Sequence, residues 1–439
     1  MPTHLWKVKV MNALWYYVIG FVIIWVLAFL LKGKYNITVE GIVLMLKTER
    51  LHDIIDKIAK KAPRFWKAYM NIGIPVGFFL MILMLVSLVW SLQLMFEMPT
   101  VSLILPGVDV PGSPLYIPFG TGMLALATVL IIHEGGHGVL ARVENVAIDS
   151  VGLLLFLIIP GAFVEPNEEE LKKVNGISKL RVYFAGPMFN MGLAVIGIVL
   201  MLLVGGLITA GDFYTTDGME ITSVVPASPS EGVLSNGMII KQVNNQSVVN
   251  TKSYMEIMDK NKIGENVTIT TDTGTYHVVA RENPNNNSRA YIGVRSKEHV
   301  IVTPEANSKY GTFIPWLLTQ LRELFYLVFL LNFAVGTFNL LPMKPLDGGL
   351  ILEEIIGYRI REDRRKDFNN TLNWWTRPLP SSVRCWISRR FNNLLDFLHN
   401  HEISDEKVQF IVRTFSYILI AILLVLILYG MLPAILQMI

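Results

Sequence analysis

The chain has 439 residues, of which 52% are hydrophobic and only 17% charged, and its mean hydropathy is +0.46. This composition excludes a purely soluble enzyme and points to a polytopic membrane protein. A net charge of +3 without a basic stripe excludes a nucleic-acid partner, and a single cysteine, Cys385, excludes an intrachain disulfide or a cysteine-built metal site.

Six apolar segments are long enough to cross a bilayer: about 12–31, 71–96, 119–141, 182–210, 314–341 and 414–436. The first lacks a small-residue cleavage site and is expected to be a retained span, not a removed signal peptide. Loop 32–70 carries nine Lys/Arg, 97–118 none and 342–413 twelve. The positive-inside bias therefore puts 32–70, 142–181 and 342–413 in the cytoplasm and the N-terminus outside, against Lys7 and Lys9.

The third segment contains "IIHEGGHGVL". One ionisable group at mid-bilayer costs roughly 2.5–3.5 kcal/mol on insertion scales, so three within five residues need a compensating partner. On a helix, His133 and His137 lie one turn apart on one face, where both imidazoles reach a single tetrahedral Zn²⁺. Glu134 points away from the ligand direction and suits a general base acting on metal-bound water. Gly135 and Gly136 weaken the helix by about 1 kcal/mol each relative to Ala. In return they offer clearance for a substrate chain or a neighbouring helix. The bland alternatives are a structural hydrogen-bond cluster and a transporter relay.

Next in order, "VGLLLFLIIPGAFVEP" (151–166) is too short to span and is broken by Pro160 and Gly161. It is expected to be a re-entrant or interfacial hairpin, tolerable where neighbouring spans or a cavity satisfy its backbone. Residues 213–310 then turn to short β-branched runs bounded by Gly, Asn and Pro. The order of strand, "PASPSEG" turn, "GMIIKQVNN" and helical "TKSYMEIMDKN" resembles a PDZ fold over about 217–298, an α+β module that binds peptides by strand addition. A non-binding β-rich spacer is the alternative. Asn245, Asn266 and Asn286 begin Asn-x-Ser/Thr sequons, weak signals in so Asn-rich a domain.

Two histidines leave zinc short of a protein ligand, and the topology expects the third near the cytoplasmic end of another span. "NLLPMKPLDGG" (339–349) fits: Asp347 follows Pro342 and Pro345, which break the fifth span, and Gly348 and Gly349 permit a turn. Glu165 and Glu168–Glu170 compete for the role, but they sit in a solvated acidic run, so Asp347 is preferred. The 350–412 segment is cytoplasmic by the charge rule and partly amphipathic ("FNNLLDFLHN"), suited to the membrane surface or to the bundle.

These motifs together resemble the site-2 proteases, intramembrane zinc metalloproteases of regulated intramembrane proteolysis. "HEGGH" resembles the family's zinc motif, "NLLPMKPLDGG" its aspartate motif, "AGPMFN" (185–190) its Gly-Pro-x-x-Asn element, and "GAFVEP" the segment after its membrane hairpin. A PDZ-like domain inserted between core spans is usual in one branch. The resemblance implies His133, His137 and Asp347 as ligands of one Zn²⁺ per chain and Glu134 as general base. It implies Asn190 and Asn339 as substrate-binding residues. Lys344 departs from the pattern, standing where many members have a second proline before the aspartate.

The expected architecture is thus a polytopic α-helical membrane protein of about six transmembrane helices plus a short re-entrant hairpin, with an inserted α+β PDZ-like domain. Its parts are 1–118 (two spans and a basic cytoplasmic loop), 119–212 (catalytic membrane core), 213–310 (extracytoplasmic PDZ-like domain), 311–349 (core helix and aspartate motif) and 350–439 (cytoplasmic segment and last span). The expected activity is zinc-dependent cleavage of single-span membrane proteins within the lipid bilayer, after a first trimming cut, with the active site towards the cytoplasm. The PDZ-like domain would take a peptide ligand. The rival readings are an inactive membrane scaffold using only the PDZ-like domain and a metal transporter. A transporter predicts polar residues along a path through several spans; apart from the motif asparagines, Gln93, Gln320, Arg322 and Glu323 lie near span ends.

Overall fold

The computed structural model describes residues 3–32, 36–48, 50–96, 106–108, 115–156, 159–283, 286–357, 362–399 and 404–438. Most of the lysine- and arginine-free loop 97–118 lies outside them, as do the hairpin tip 157–158 and parts of 350–412. The chain forms two compact units, one from Lys9–Val199 with Leu324–Ile439 and a second mainly from Leu200–Glu323.

The first unit opens with α1 (Thr3–Leu31), β1 (Ile37–Glu40), β2 (Val43–Lys47), α2 (Arg50–Lys61), α3 (Pro63–Leu94) and α4 (Phe119–Val143). It continues through β3 (Ile148–Phe156), β4 (Ile159–Pro166), α5 (Glu168–Lys173) and α6 (Gly176–Ala210). Pro63 opens α3 at its first turn, where a missing N–H breaks no helical bond. The segment expected as a hairpin is a β-hairpin, β3 against β4, with Gly152 opposite Phe163 and Leu154 opposite Gly161. The hairpin does not stand alone. Strands β1 and β2, from the basic loop, join it in an antiparallel sheet of order β1-β2-β3-β4. One outer edge of that sheet therefore belongs to β4. The sequence reading of 32–70 as a plain cytoplasmic loop missed these two strands, which are short and broken by Gly41 at φ +59°.

A buried charge cluster ties the ends of three helices. Glu144, just past α4, accepts hydrogen bonds from Ser178 Oγ (2.6 Å) and Arg181 Nη1 (2.9 Å) of α6 and lies 3.4 Å from Lys67 Nζ of α3. Arg181 also donates to Asn71 of α3. This network fixes α4 and α6 side by side beneath a core that includes Leu140, Phe184, Ala185, Met188 and Leu340.

The second unit comprises β5 (Tyr214–Val224), β6 (Ile239–Val243), β7 (Gln246–Ser247), α7 (Thr251–Met258), β8 (Asn266–Thr271) and β9 (Thr275–Val279). Then come β10 (Arg281–Asn283), β11 (Asn286–Tyr291), β12 (Val294–Val302) and α8 (Pro304–Tyr310). Its main sheet runs β12-β5-β6-β8-β9, with β7 pairing β6, and β10-β11 is a separate ribbon. Strand β8, "NVTITT", alternates: Val267, Ile269 and Thr271 face inward onto Met219, Ile221, Ile240 and Val278. Asn250 caps α7 in a reciprocal box with Ser253. One sheet with one capped helix over its apolar face is the α+β arrangement expected for 213–310.

The chain closes with α9 (Phe313–Phe338), α10 (Asp347–Ile356), α11 (Glu362–Thr376), α12 (Ser381–His399) and α13 (Asp405–Met438). Among the described residues, α3, α4, α6, α9 and α13 are long and apolar enough to cross a membrane. The sixth expected span falls on α1, whose described apolar stretch, Tyr17–Leu31, is shorter. Exposed Val195, Leu202 and Leu207 on α6 and Leu424 and Leu428 on α13 are what lipid contact demands of such helices.

Candidate metal centre

His133 and His137 lie one turn apart on α4, their ring centroids 5.0 Å apart and their Nε2 atoms 3.4 Å apart. Asp347, the first residue of α10, closes the triangle: Oδ2 is 3.1 Å from His133 Nε2 and Oδ1 is 3.3 Å from His137 Nε2. The turn that delivers it folds back on itself. Gly348 N–H donates to the Asn339 carbonyl (2.8 Å) and Gly349 N–H to the Leu346 carbonyl (3.0 Å). A Cβ on Gly348 would stand 2.2 Å from the Leu341 carbonyl oxygen, so no larger residue fits there. Lys344 turns away from the site to pair with Glu353 of α10 at 2.5 Å, and its backbone N–H donates to Ser416 Oγ of α13.

These residues meet the demands of a zinc site. Four ligands at about 2.0–2.1 Å in a tetrahedron stand about 3.3 Å from one another, and the three separations here are 3.1, 3.3 and 3.4 Å. Asp347 Oδ2 is buried and accepts no hydrogen bond of proper geometry, despite its nearness to His133. Buried carboxylate oxygens are rarely left so, and a cation at the centre would satisfy all three groups. Among the described residues this is the one group of three His, Cys, Asp or Glu side chains whose ligand atoms converge within 4.8 Å.

Helix α6 backs the two imidazoles. His137 Nδ1–H donates to the Val182 carbonyl at 2.8 Å, and His133 Nδ1 lies 3.2 Å from the Asn190 amide. Gly186, midway between, lies against both rings: a Cβ there would be 2.3 Å from His137 Nε2 and 2.7 Å from His133 Nε2. The resemblance singled out Asn190 of "AGPMFN", whereas nothing in the sequence marks Gly186 as the space the imidazoles occupy. The glycines of "HEGGH" divide their work. Gly136 packs on α6, where a Cβ would meet the Ala185 carbonyl at 2.8 Å, while Gly135 faces open space.

Glu134 is half-buried on α4, and its Oε2 accepts a hydrogen bond from Val164 N–H of β4 at 3.0 Å. The edge strand of the hairpin thus runs against the helix that carries the glutamate, a contact invisible in the sequence because it uses a backbone donor. The other carboxylates do not gather at the histidines. Glu165 accepts from Ser150 Oγ (2.6 Å), Glu170 from Ala147 N–H (2.7 Å), and Glu168 pairs with exposed Lys172. The two motif asparagines differ. Asn339 is half-buried with no side-chain hydrogen bond among the described residues. Asn190 is fully buried, and its side-chain contact is with His133. A further polar contact that the sequence did not flag is buried Asn332 of α9, whose Nδ2 donates to Thr128 Oγ1 of α4 at 3.1 Å.

The sequence model of peptidase family M50 matches residues 121–376, more than half of the chain. An uncharacterised protein of Methanocaldococcus jannaschii is 26% identical over 337 residues, covering 74% of this chain and 81% of that protein. A membrane-bound transcription factor site-2 protease homologue of Arabidopsis thaliana is 24% identical over 147 residues, 32% of this chain and 28% of its own length. Among solved structures, the PDZ domain of an SdrC-like protein from Listeria monocytogenes is 20% identical with a TM-score of 0.17, covering 19% of this chain and 90% of that domain.

Proposed function

The chain belongs to peptidase family M50, the family of the site-2 proteases, and from that premise we propose that it is an intramembrane zinc endopeptidase cutting the membrane-embedded part of single-span proteins. The observation that carries this reading is the convergence of two imidazole nitrogens and one carboxylate at mutual separations of 3.1–3.4 Å. His133, His137 and Asp347 would hold one zinc ion, leaving its fourth position open. Bound there, zinc would supply a Lewis acid for the scissile carbonyl and lower the pKa of a water towards 7.

The rest of the chemistry falls to the chain's own residues. Glu134 takes the proton of the attacking water and passes it to the leaving amine. Val164 N–H holds one oxygen of Glu134 and leaves the other free for this traffic. A peptide can be cut only after its carbonyl is released from the i→i−4 bonding of a helix. Beyond Val164, whose N–H is taken by Glu134, the outer edge of β4 is suited to bind an unwound substrate segment as an added strand, since β3 occupies only its other side. Asn339, whose amide has no partner among the described residues, stands in the aspartate motif, where it would bind the substrate backbone or the developing oxyanion.

The charge bias of the loops puts this site towards the cytoplasm and residues 213–310 outside, in a cell membrane. In that topology the PDZ-like unit acts as a filter, binding the outer end of a substrate already trimmed by a first cut, within regulated intramembrane proteolysis.

Metal analysis tests the reading. Purified chain should carry one zinc, Asp347→Asn should lose it, and Glu165→Gln should keep it. Retention by Asp347→Asn together with loss in Glu165→Gln would move the third ligand and sink the proposed geometry.

A further inference from the structure

Three groups four residues apart on α6 face the two histidines: the Val182 carbonyl, the bare Cα of Gly186 and the Asn190 carboxamide. The Val182 carbonyl can only accept, so the His137 proton sits on Nδ1, and Nε2 keeps the lone pair that points towards Asp347 and His133. At His133 the corresponding place is taken by a side chain whose two ends are alike in shape, so chemistry decides which end faces the ring.

If the amide nitrogen faces the ring, His133 Nδ1 accepts and the ring proton moves to Nε2. That proton would point into the space between His137 Nε2 and Asp347, where a ligand lone pair is needed. If the oxygen faces the ring, Oδ1 accepts from Nδ1–H, and His133 adopts the same tautomer as His137. The side chain has little freedom to do anything else. It is fully buried, and α9 packs close against it at Gly336, where a Cβ would lie 3.2 Å from Asn190 Cβ.

We propose that Asn190 is a positioning residue for the metal ligand His133: its carboxamide oxygen accepts from Nδ1–H, as the Val182 carbonyl does for His137, and it does not contact substrate. Hydrogen-bond partners of this kind orient the ring and raise its basicity, and losing one costs about 10–100-fold in metal affinity. The inference rests on the zinc reading above, and one experiment separates the two.

Zinc affinity is measured by chelator competition on the full-length chain in detergent, for wild type, Asn190→Leu and Asn190→Asp, alongside KM and kcat for a single-span substrate. Aspartate accepts but cannot donate, so Asn190→Asp should bind zinc within about threefold of wild type. Asn190→Leu keeps the branched shape without an acceptor; it should bind about 10–100-fold more weakly, with KM unmoved at saturating zinc. Equal loss in both variants would overturn the acceptor role, and if Asn190→Leu does not fold, the affinity of Asn190→Asp decides alone. Unchanged affinity in Asn190→Leu with a raised KM would return Asn190 to the substrate and overturn the proposal while leaving the zinc reading intact. Wild type that takes up no zinc would overturn both.

Discussion

At the scale of single residues, the site depends as much on what is missing as on what is present. Gly186 gives the imidazoles the volume into which any side chain would project, with its virtual Cβ 2.3 Å from His137 Nε2. Gly186→Ala must therefore push both rings off their shared focus. The expected outcome is zinc binding weakened at least about tenfold, the range seen when ligand orientation is disturbed, with the helical fold kept; chelator competition and circular dichroism measure the two. Unchanged affinity would mean that α4 and α6 can part at no cost. The candidate ligands were legible in the sequence because a four-residue spacing on a helix is a geometric statement, and because ionisable groups in an apolar run ask for a partner. Gly186 and the Val182 carbonyl were not legible: a glycine and a backbone oxygen carry no chemical signature until the facing helix is in place. Asn190 was legible as a motif residue but not in its contact, which is with His133 and not with solvent-accessible space.

At the scale of elements, the relation of α4 to α6 is set by Glu144, whose carboxylate is gripped by Ser178 and Arg181 and approached by Lys67. Its side chain is 5% exposed and that of Arg181 13%, so solvent does little to replace a lost partner. Removing one member of a buried charge pair costs about 3–5 kcal/mol because the other is left unpaired. Glu144→Ala should therefore lower the thermal stability of the detergent-solubilised chain by about that amount, and a change under about 1 kcal/mol would show the cluster to be merely decorative. The spans were readable from apolar run length, which is a direct consequence of bilayer thickness. The sheet was half readable: a broken run of sixteen residues signalled the hairpin, but β1 and β2 are four and five residues long, and β2 pairs with a strand about a hundred positions away. No local pattern announces a partner so distant.

At the scale of the whole molecule, the unit formed mainly by Leu200–Glu323 has its own buried core and its own pH response. Burial pushes the Asp217 carboxyl up, but Lys241 Nζ at 2.6 Å and His299 Nδ1 at 2.6 Å outweigh it and hold the group below its ordinary value. A depressed carboxylate pKa contributes stability above its unfolded value of about 3.9, and that stability is lost as pH falls through the folded value. Because the ion pair is about one-third exposed, solvent screening limits the contribution to about 1 kcal/mol or less. Asp217→Asn should thus destabilise this unit in the full-length chain at pH 6, with the difference from wild type closing below about pH 4, as followed by hydrogen exchange of β5 and β12 amides. A gap that widened on acidification would contradict the assigned sign. Composition alone separated this unit from the apolar chain around it. Its strand order needed the structure, because β12 returns to pair with β5 across the entire unit. The central claim, that the two histidines, the aspartate and Glu134 form a working peptidase centre, is tested most directly by cleavage of a single-span substrate by purified chain, wild type against Glu134→Gln, with zinc content measured on both. Activity lost by about 10²–10⁴-fold, as expected when a general base is removed, at equal zinc content is the predicted result; cleavage that survives the substitution, or that ignores a zinc chelator, would contradict it.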